Sequence, residues 1–154
     1  MQHKSLADAR CPIARSIDVV GEWWTILILR DAFRGVRRFD DFQASLGIAR
    51  NLLSRRLKRL VAAGILETRP YSTKPLRHEY RLTAKGRDLH PVLMLLMAWG
   101  NRWAPHAKST VALARDTMQP LDPLLVDRAT GAPITPHSVV VRYADGTTRD
   151  GARS

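Results

Sequence analysis

Ala49–Ala63, ARNLLSRRLKRLVAA, is the stretch whose reading decides the fold. Leu53, Leu57, Leu60 and Val61 fall at i, i+4, i+7 and i+8, the spacing of one helical face. Asn51, Ser54, Arg55 and Lys58 form the opposite face, and no acid occurs between Asp41 and Glu67. Leucine on one side and Arg, Lys, Asn and Ser on the other suit a helix that lies in a negatively charged groove. The same pattern also fits an ordinary amphipathic helix with a solvated basic face. The residues upstream favour the first reading. Asp40 stands where an N-cap would start a helix over Asp41–Leu46. Gly47 then ends that helix and turns the chain, and a short helix, a tight turn and a second helix make a helix-turn-helix.

Working toward the N-terminus, Val36–Phe39 reads as a very short strand. Glu22–Phe33, EWWTILILRDAF, is apolar around nearly the whole circumference of a helix, which predicts central burial. Pro12–Gly21 reads as one more short helix: Pro12 suits the first helical position, Ile13, Ile17 and Val20 share a face, and Gly21 closes it.

Downstream, Gly64 ends the basic helix. Ile65–Tyr71 and Arg77–Leu82 read as antiparallel strands. Between them Ser72, Thr73, Lys74, Pro75 and Leu76 form a polar loop longer than a two-residue turn, which is the wing. Thr83 caps a last helix rich in large apolar residues, among them Leu89, Leu93, Leu96, Met97, Trp99 and Trp103. That is more apolar surface than one small domain needs from a terminal helix. It predicts a homodimer interface at Leu93, Leu96, Met97, Trp99 and Trp103; a helix buried within a monomer is the competing reading. Residues 111–123 read as a linker. Residues 124–154 read as a small β appendage with turns at Thr130-Gly131 and Asp145-Gly146 and a frayed end after Asp150. No internal repeat is evident. The fold class expected is therefore mainly α with a small β wing, with residues 1–110 as the helix-turn-helix and dimerisation domain.

The charge agrees with this division. Of 154 residues, 25 are Lys or Arg and 14 Asp or Glu, for a formal net charge of +11. Residues 1–110 hold 20 basic and 9 acidic side chains, whereas residues 111–154 hold 5 of each. The excess that calls for a polyanionic partner thus belongs to the first part. One cysteine makes no internal disulfide, which fits a reducing compartment. Met1–Arg10 has no apolar targeting core, and the longest apolar run, Val92–Trp99, falls far below the roughly 18 to 20 residues of a membrane span. A cytoplasmic protein without membrane association is expected.

Several stretches together resemble the HxlR-type winged-helix regulators, relatives of the MarR group. They are Cys11-Pro12; Gly21-Glu22-Trp23-Trp24 with Ile26-Leu27; Arg38-Phe39-Asp40-Asp41-Phe42; Leu53-Ser54-Arg55-Arg56-Leu57 with Leu60 and Gly64-Ile65; and Tyr71, Pro75, Glu79-Tyr80, Leu82-Thr83, Gly86 and Trp99. The resemblance spans about residues 11–103. It implies a dimeric DNA-binding repressor or activator whose terminal helices form the dimer interface. Ala49 stands where the family usually has serine, and the C-terminal appendage lies outside the common pattern.

In a helix-turn-helix the second helix enters the major groove, and residues in its N-terminal half reach base edges. Arg50, Asn51, Ser54 and Arg55 are the base-reading candidates, since Arg grips guanine and Asn adenine in bidentate fashion. Lys58 and Arg59 are candidates for phosphates. Lys74 and Arg77 of the wing, with Ser72 and Thr73 as hydroxyl donors, would approach the neighbouring groove or its backbone. Arg38 is open between DNA and a pairing with Asp40 or Asp41. Cys11, the expected N-cap of the first helix beside Arg10 and Arg15, is a candidate sensor of electrophiles or oxidants, because helix N-termini and cations favour thiolate; a chemically idle small side chain is the alternative.

His3, His78, His90, His106 and His137 show no metal-ligand spacing, and no phosphate loop or nucleophile-base pair occurs, so no metal, cofactor or enzymatic activity is expected. The partners expected are duplex DNA, a second copy of the chain and, as an open possibility, a small-molecule effector accepted by a pocket beside the dimer helix. The rival to an operator-specific regulator is a winged helix that binds RNA or docks on protein.

Overall fold

A computed structural model describes residues 5–104, 106–107, 109–143 and 148–150. The expected Asp145-Gly146 turn, the frayed end after Asp150 and His3 lie outside the described residues. The chain divides into two compact units, Met1–Leu93 and Met94–Ser154.

The first unit holds α1 (Pro12–Val20), α2 (Trp23–Phe33), α3 (Phe39–Leu46), α4 (Arg50–Ala62), β1 (Leu66–Thr73), β2 (Leu76–Leu82) and α5 (Ala84–Arg87). The last helix, α6 (His90–Trp103), begins here and continues into the second unit. This is the α+β winged helix-turn-helix expected from the sequence. Its core is Ile28 and Leu29 of α2, Phe42 of α3, Ile48 of the turn that follows, Leu53, Leu57 and Leu60 of α4, Ile65, Leu66 of β1, and Leu93 of α6.

Burial on α2 is less complete than its composition predicts. Thr25, Ile28, Leu29 and Asp31 are buried, while Trp23 is 71% exposed at the first position of the helix. Asp31 is the buried charge of this core. Arg30 Nε donates to one of its oxygens at 2.9 Å, and Ser45 Oγ donates to the other at 2.7 Å, tying α2 to α3. A buried carboxylate requires such partners.

α3 begins earlier than expected. Its N-cap is Arg38, so Asp40 and Asp41 lie in the first turn, where acids complement the positive end of the helix dipole. Starting α3 at Phe39 removes the short strand expected at Val36–Phe39. What remains there is one sheet-like bond, from Tyr80 N of β2 to the Arg37 carbonyl at 2.8 Å. Gly47 closes α3 at φ 62°, a left-handed conformation that costs residues with a Cβ about 1–2 kcal/mol. The tight turn into α4 therefore needs glycine.

The wing is longer and tighter than its sequence suggests. β1 and β2 pair antiparallel from Leu66↔Leu82 to Thr73↔Leu76, with a bulge between Pro70 and Ser72. Ser72, Thr73 and Leu76 thus belong to strands, and the turn is the two residues Lys74-Pro75, joined by a cis peptide bond. Proline sits at the turn, where no ladder hydrogen bond is missed.

Thr83 is the expected N-cap, accepting from Gly86 N at 3.1 Å, but the helix it caps is the short α5. Pro91 is the reason. Within a continuous helix its ring would clash with the Arg87 carbonyl and leave that carbonyl without its bond, whereas in the first turn of a new helix it is tolerated. α5 is pressed onto the corner between α4 and β1: a Cβ on Gly86 would lie 2.2 Å from the Ile65 carbonyl oxygen.

In the second unit, the stretch read as a linker is built of turns, and it holds an internal repeat where none was expected: Arg115, Thr117, Pro120 and Pro123 recur thirteen residues on as Arg128, Thr130, Pro133 and Pro136. Two β-arches repeat at an offset of thirteen residues. Leu113 bridges Pro120, and Val126 bridges Pro133. Ala114 N donates to the Gln119 carbonyl, and Asp127 N to that of Ala132; Leu121 N donates to the Ala112 carbonyl, and Ile134 N to that of Leu125. The positive-φ residues match as well, Met118 at 55° and Gly131 at 70°. In the second arch the Asp127 carboxylate accepts from the Thr130 hydroxyl, Thr130 N and Ala129 N, and these bonds hold its pKa below the ordinary value. A 3-10 turn (Pro136–Ser138) and the antiparallel pair β3 (Val140–Arg142) and β4 (Thr148–Asp150) follow. Among the described residues no helix is long and apolar enough to cross a membrane.

Gly86→Ala is expected to destabilise the chain by about 1–3 kcal/mol through overpacking against Ile65, read as a lowered denaturant midpoint at unchanged slope.

Candidate nucleic-acid interface

α4 is oriented by its leucine face and by two arginines. Leu53, Leu57 and Leu60 are buried, which leaves Asn51, Arg55 and Lys58 on the exposed side and Ser54 half-buried. Arg56 turns inward and pairs with Glu22, the N-cap of α2. Arg59, which the sequence offers as a phosphate ligand, is directed elsewhere. Its guanidinium lies 3.7 Å from the Asp18 carboxylate of α1 and also donates to the Asp18 backbone carbonyl. Asp18 is further engaged by Leu6 N at 2.9 Å and Ser5 Oγ at 3.3 Å. Arg59 therefore fastens the recognition helix to α1. Residue type and spacing could not separate it from Lys58, its neighbour in sequence, because the partner lies 41 residues away.

Arg50, first in α4, is half committed. It stands 3.4 Å from Asp40 and from Gln43, and its guanidinium lies 4.8 Å from the centre of the Phe39 ring. Arg38 stacks on Tyr71, the bulged wing residue, at 4.5 Å. Neither carboxylate weighed for Arg38 is its partner in this arrangement. These residues meet in one groove of about 460 Å³ lined by Arg38, Phe39, Asp40, Asp41, Arg50, Tyr71, Arg77 and His78. The structure thus brings Arg50 of the recognition helix and Arg77 of the wing to the same groove. It adds His78, which the sequence offered only as a failed metal ligand. Thr73, Lys74 and Arg77 are exposed, and Ser72 is half-buried within β1. Tyr80 packs edge-on against Phe42 at 6.5 Å and supports β2 from beneath, and burial pushes its pKa up.

Ala49 has the backbone of an N-cap, φ −60° and ψ 134°, with no side chain able to take it up. Cys11 is the N-cap of α1, as expected, and its side chain is exposed. Arg15 is turned toward the carbonyl oxygens of Ala9 and Arg10.

The dimer candidates separate into two sets. Leu96, Trp99 and Trp103 are 51, 60 and 68% exposed and continue a stripe that begins at Val92, which the sequence reading omitted. Their spacing of four, three and four residues puts all of them on one side of α6. Leu93 is 8% exposed and belongs to the core, and Met97 lines a small cavity with Met94, Val111, Leu121 and others of the second unit. Neither of these two lies on the stripe. Among the described residues no group of three or more His, Cys, Asp or Glu side chains is placed to hold a metal ion.

A recognition helix with an open basic face beside a basic wing is the architecture of winged helix-turn-helix transcriptional regulators. The family model for HxlR-like helix-turn-helix proteins matches residues 19–108, and the chain belongs to that family. An HTH-type transcriptional regulator of Mycobacterium tuberculosis, Rv3095, is 44% identical over 136 residues, 87% of this chain and 86% of its own. The crystal structure of PA1607, a candidate transcription factor, superposes with a TM-score of 0.81 at 41% identity, covering 90% of this chain and 98% of that one. HypR, a redox regulator in its reduced form, superposes at 0.57 with 31% identity, covering 61% of this chain and 96% of its own. The first two matches are long enough to take in the arches, which the family model does not reach.

Ala49→Ser is expected to supply the missing cap and stabilise the chain by about 0.5–2 kcal/mol. A raised denaturant midpoint checks it, and no gain would mean that the first turn of α4 is already satisfied by water.

Proposed function

We propose that this regulator binds duplex DNA sequence-specifically as a homodimer on a pseudo-palindromic operator. The observation that carries the reading is the open face of α4. Asn51, Arg55 and Lys58 project from it, the two cations without an ion-pair partner among the described residues, while the neighbouring Arg56 and Arg59 pair with Glu22 and Asp18 of the same chain. A merely solvated basic face would have no reason to sort its cations this way. Asn51, Ser54 and Arg55 read base edges, joined by Arg50 when it leaves Asp40. Lys58, Lys74 and Arg77 hold phosphates, with Ser72 and Thr73 as minor donors. The second copy is met by the α6 stripe of Val92, Leu96, Trp99 and Trp103, apolar surface of the kind that marks an interface when it stands in water.

Selection from a random duplex pool at near-physiological salt tests this directly. Enrichment of a two-fold sequence with half-sites about 10 bp apart, or a multiple of that, is expected. Binding without enrichment that vanishes as salt rises would instead favour an RNA-binding or protein-docking module. On the selected operator, Arg55→Ala should relax preference at one base pair of each half-site. Lys58→Ala should weaken all duplexes alike and lower the salt slope by about 1 per half-site. In sedimentation, Trp99→Asp should convert a dimer to a monomer; an unchanged mass would remove α6 from the interface.

A sensing role for Cys11 is supported by its exposed thiol and by the likeness to HypR. If it holds, a quinone releases the operator from the unsubstituted chain and leaves the Cys11→Ser complex intact. Equal release from both would eliminate Cys11.

A further inference from the structure

In the first unit, Pro12, Val19 and Val20 of α1, Ile65 and Leu89 wall a groove of about 290 Å³. The rest of its lining is Arg15, Ser16 and Lys85, so every charge on it is positive and no carboxylate faces it. Arg15 and Lys85 form no ion pair among the described residues, and the hydrogen bonds they make are to backbone. Arg15 Nη1 donates to the carbonyl oxygens of Ala9 and Arg10 at 2.7 and 3.0 Å, and Lys85 Nζ donates to that of Ala63 at 2.8 Å. Arg15 thus keeps Nε and Nη2, and Lys85 two N–H donors, for a ligand.

We propose that this groove is a binding site for a small apolar acid. An aromatic or short aliphatic body would lie against Val19, Val20, Ile65 and Leu89, and its carboxylate would be met by Arg15 and Lys85. Apolar walls with a few convergent polar groups are the usual make-up of small-ligand sites, and charge-assisted bonds to a carboxylate are the strong ones. Two cations without an acid between them select the sign of the ligand. A neutral molecule of the same shape gains only the apolar contact, and an amine is repelled.

The site adjoins the recognition helix through Lys85. Ala63, whose carbonyl Lys85 holds, is the C-cap of α4. A carboxylate that draws Lys85 Nζ toward itself takes that bond from the end of α4, at the corner where Thr83 Oγ1 also bonds the Gly64 carbonyl at 2.7 Å. The effector side of the proposed function then acquires a chemical class. Only this consequence rests on the DNA-binding reading, since occupancy of the groove can be measured without DNA.

The test is calorimetric titration of the full chain with 2-naphthoate and, in parallel, with 2-naphthamide, which has the same ring system and no charge. Saturable binding of one acid per chain is expected, with the amide at least about tenfold weaker. Arg15→Gln and Lys85→Gln should each weaken the acid about tenfold while leaving helical circular dichroism intact. No saturable binding of the acid, equal binding of acid and amide, or unchanged affinity in the folded double variant would overturn the site. Acid binding by a chain that selects no operator would leave the groove standing and remove the DNA reading. An enriched operator with no acid binding would do the reverse.

Discussion

The seam of Leu53, Leu57 and Leu60, buried together with Ile28, Leu29 and Phe42, is the constraint on which the exposed basic face of α4 depends. A leucine face fixes which side of α4 points outward but resists rotation about the helix axis only weakly, because aliphatic contacts are non-directional. Direction comes from the flanks. Arg56 on Glu22 and Arg59 on Asp18 bind one edge of α4 to α1 and α2, and Thr83 and Lys85 hold the carbonyls at its C-terminal end. Asp31 sets the companion helix by bridging Arg30 and Ser45. The exposed Asn51, Arg55 and Lys58 are therefore positioned by groups that never face the groove they would serve.

This arrangement gives two kinds of cation on one helix. An arginine whose planar fork reaches a carboxylate of its own chain stiffens the fold. One left in water keeps its donors for phosphate or guanine. The count of 25 basic side chains overstates what the surface offers a polyanion, since Arg30, Arg56, Arg59, Arg69 and Arg81 all pair with acids of the same chain, a balance that the net charge of +11 already includes. The groove shared by Arg38, Arg50, Arg77 and His78 adds positive potential where α3, α4 and the wing come together, tempered there by Asp40 and Asp41.

The amphipathic helix, the tight Gly47 turn and the antiparallel wing were legible because each is encoded within a short window: a 3.6-residue period, a residue permissive of positive φ, and alternation between strands. What escaped depends on distance or on competition. Arg59 and Lys58 look alike until Asp18 comes into reach. The Thr83 cap signal was right, but the helix beyond it had to yield to Pro91. Pro75 read as part of a long loop because a proline withdraws from sheet ladders, yet one turn position needs no ladder bond. Leu93 and Met97 share the composition of the α6 stripe and differ only in the side they face. The arches were legible and were passed over: Arg115, Thr117, Pro120 and Pro123 recur as Arg128, Thr130, Pro133 and Pro136, but two short copies of Thr- and Pro-bearing sequence look like ordinary turn composition, and Met118 and Gly131 fill the positive-φ position with unrelated side chains.

The thirteen-residue arches carry a further consequence, for the order in which the chain acquires structure. Each bridge closes a loop only seven residues apart in sequence, Leu113 to Pro120 and Val126 to Pro133. The entropy of closure rises with loop length, so these contacts are among the least costly the chain can make. Loops of this size close on the order of 10–100 ns, long before the wing can find the segment around Arg37. The C-terminal segment can therefore organise itself locally during synthesis, one arch at a time, and a mutation in one arch should leave its neighbour's closure almost untouched.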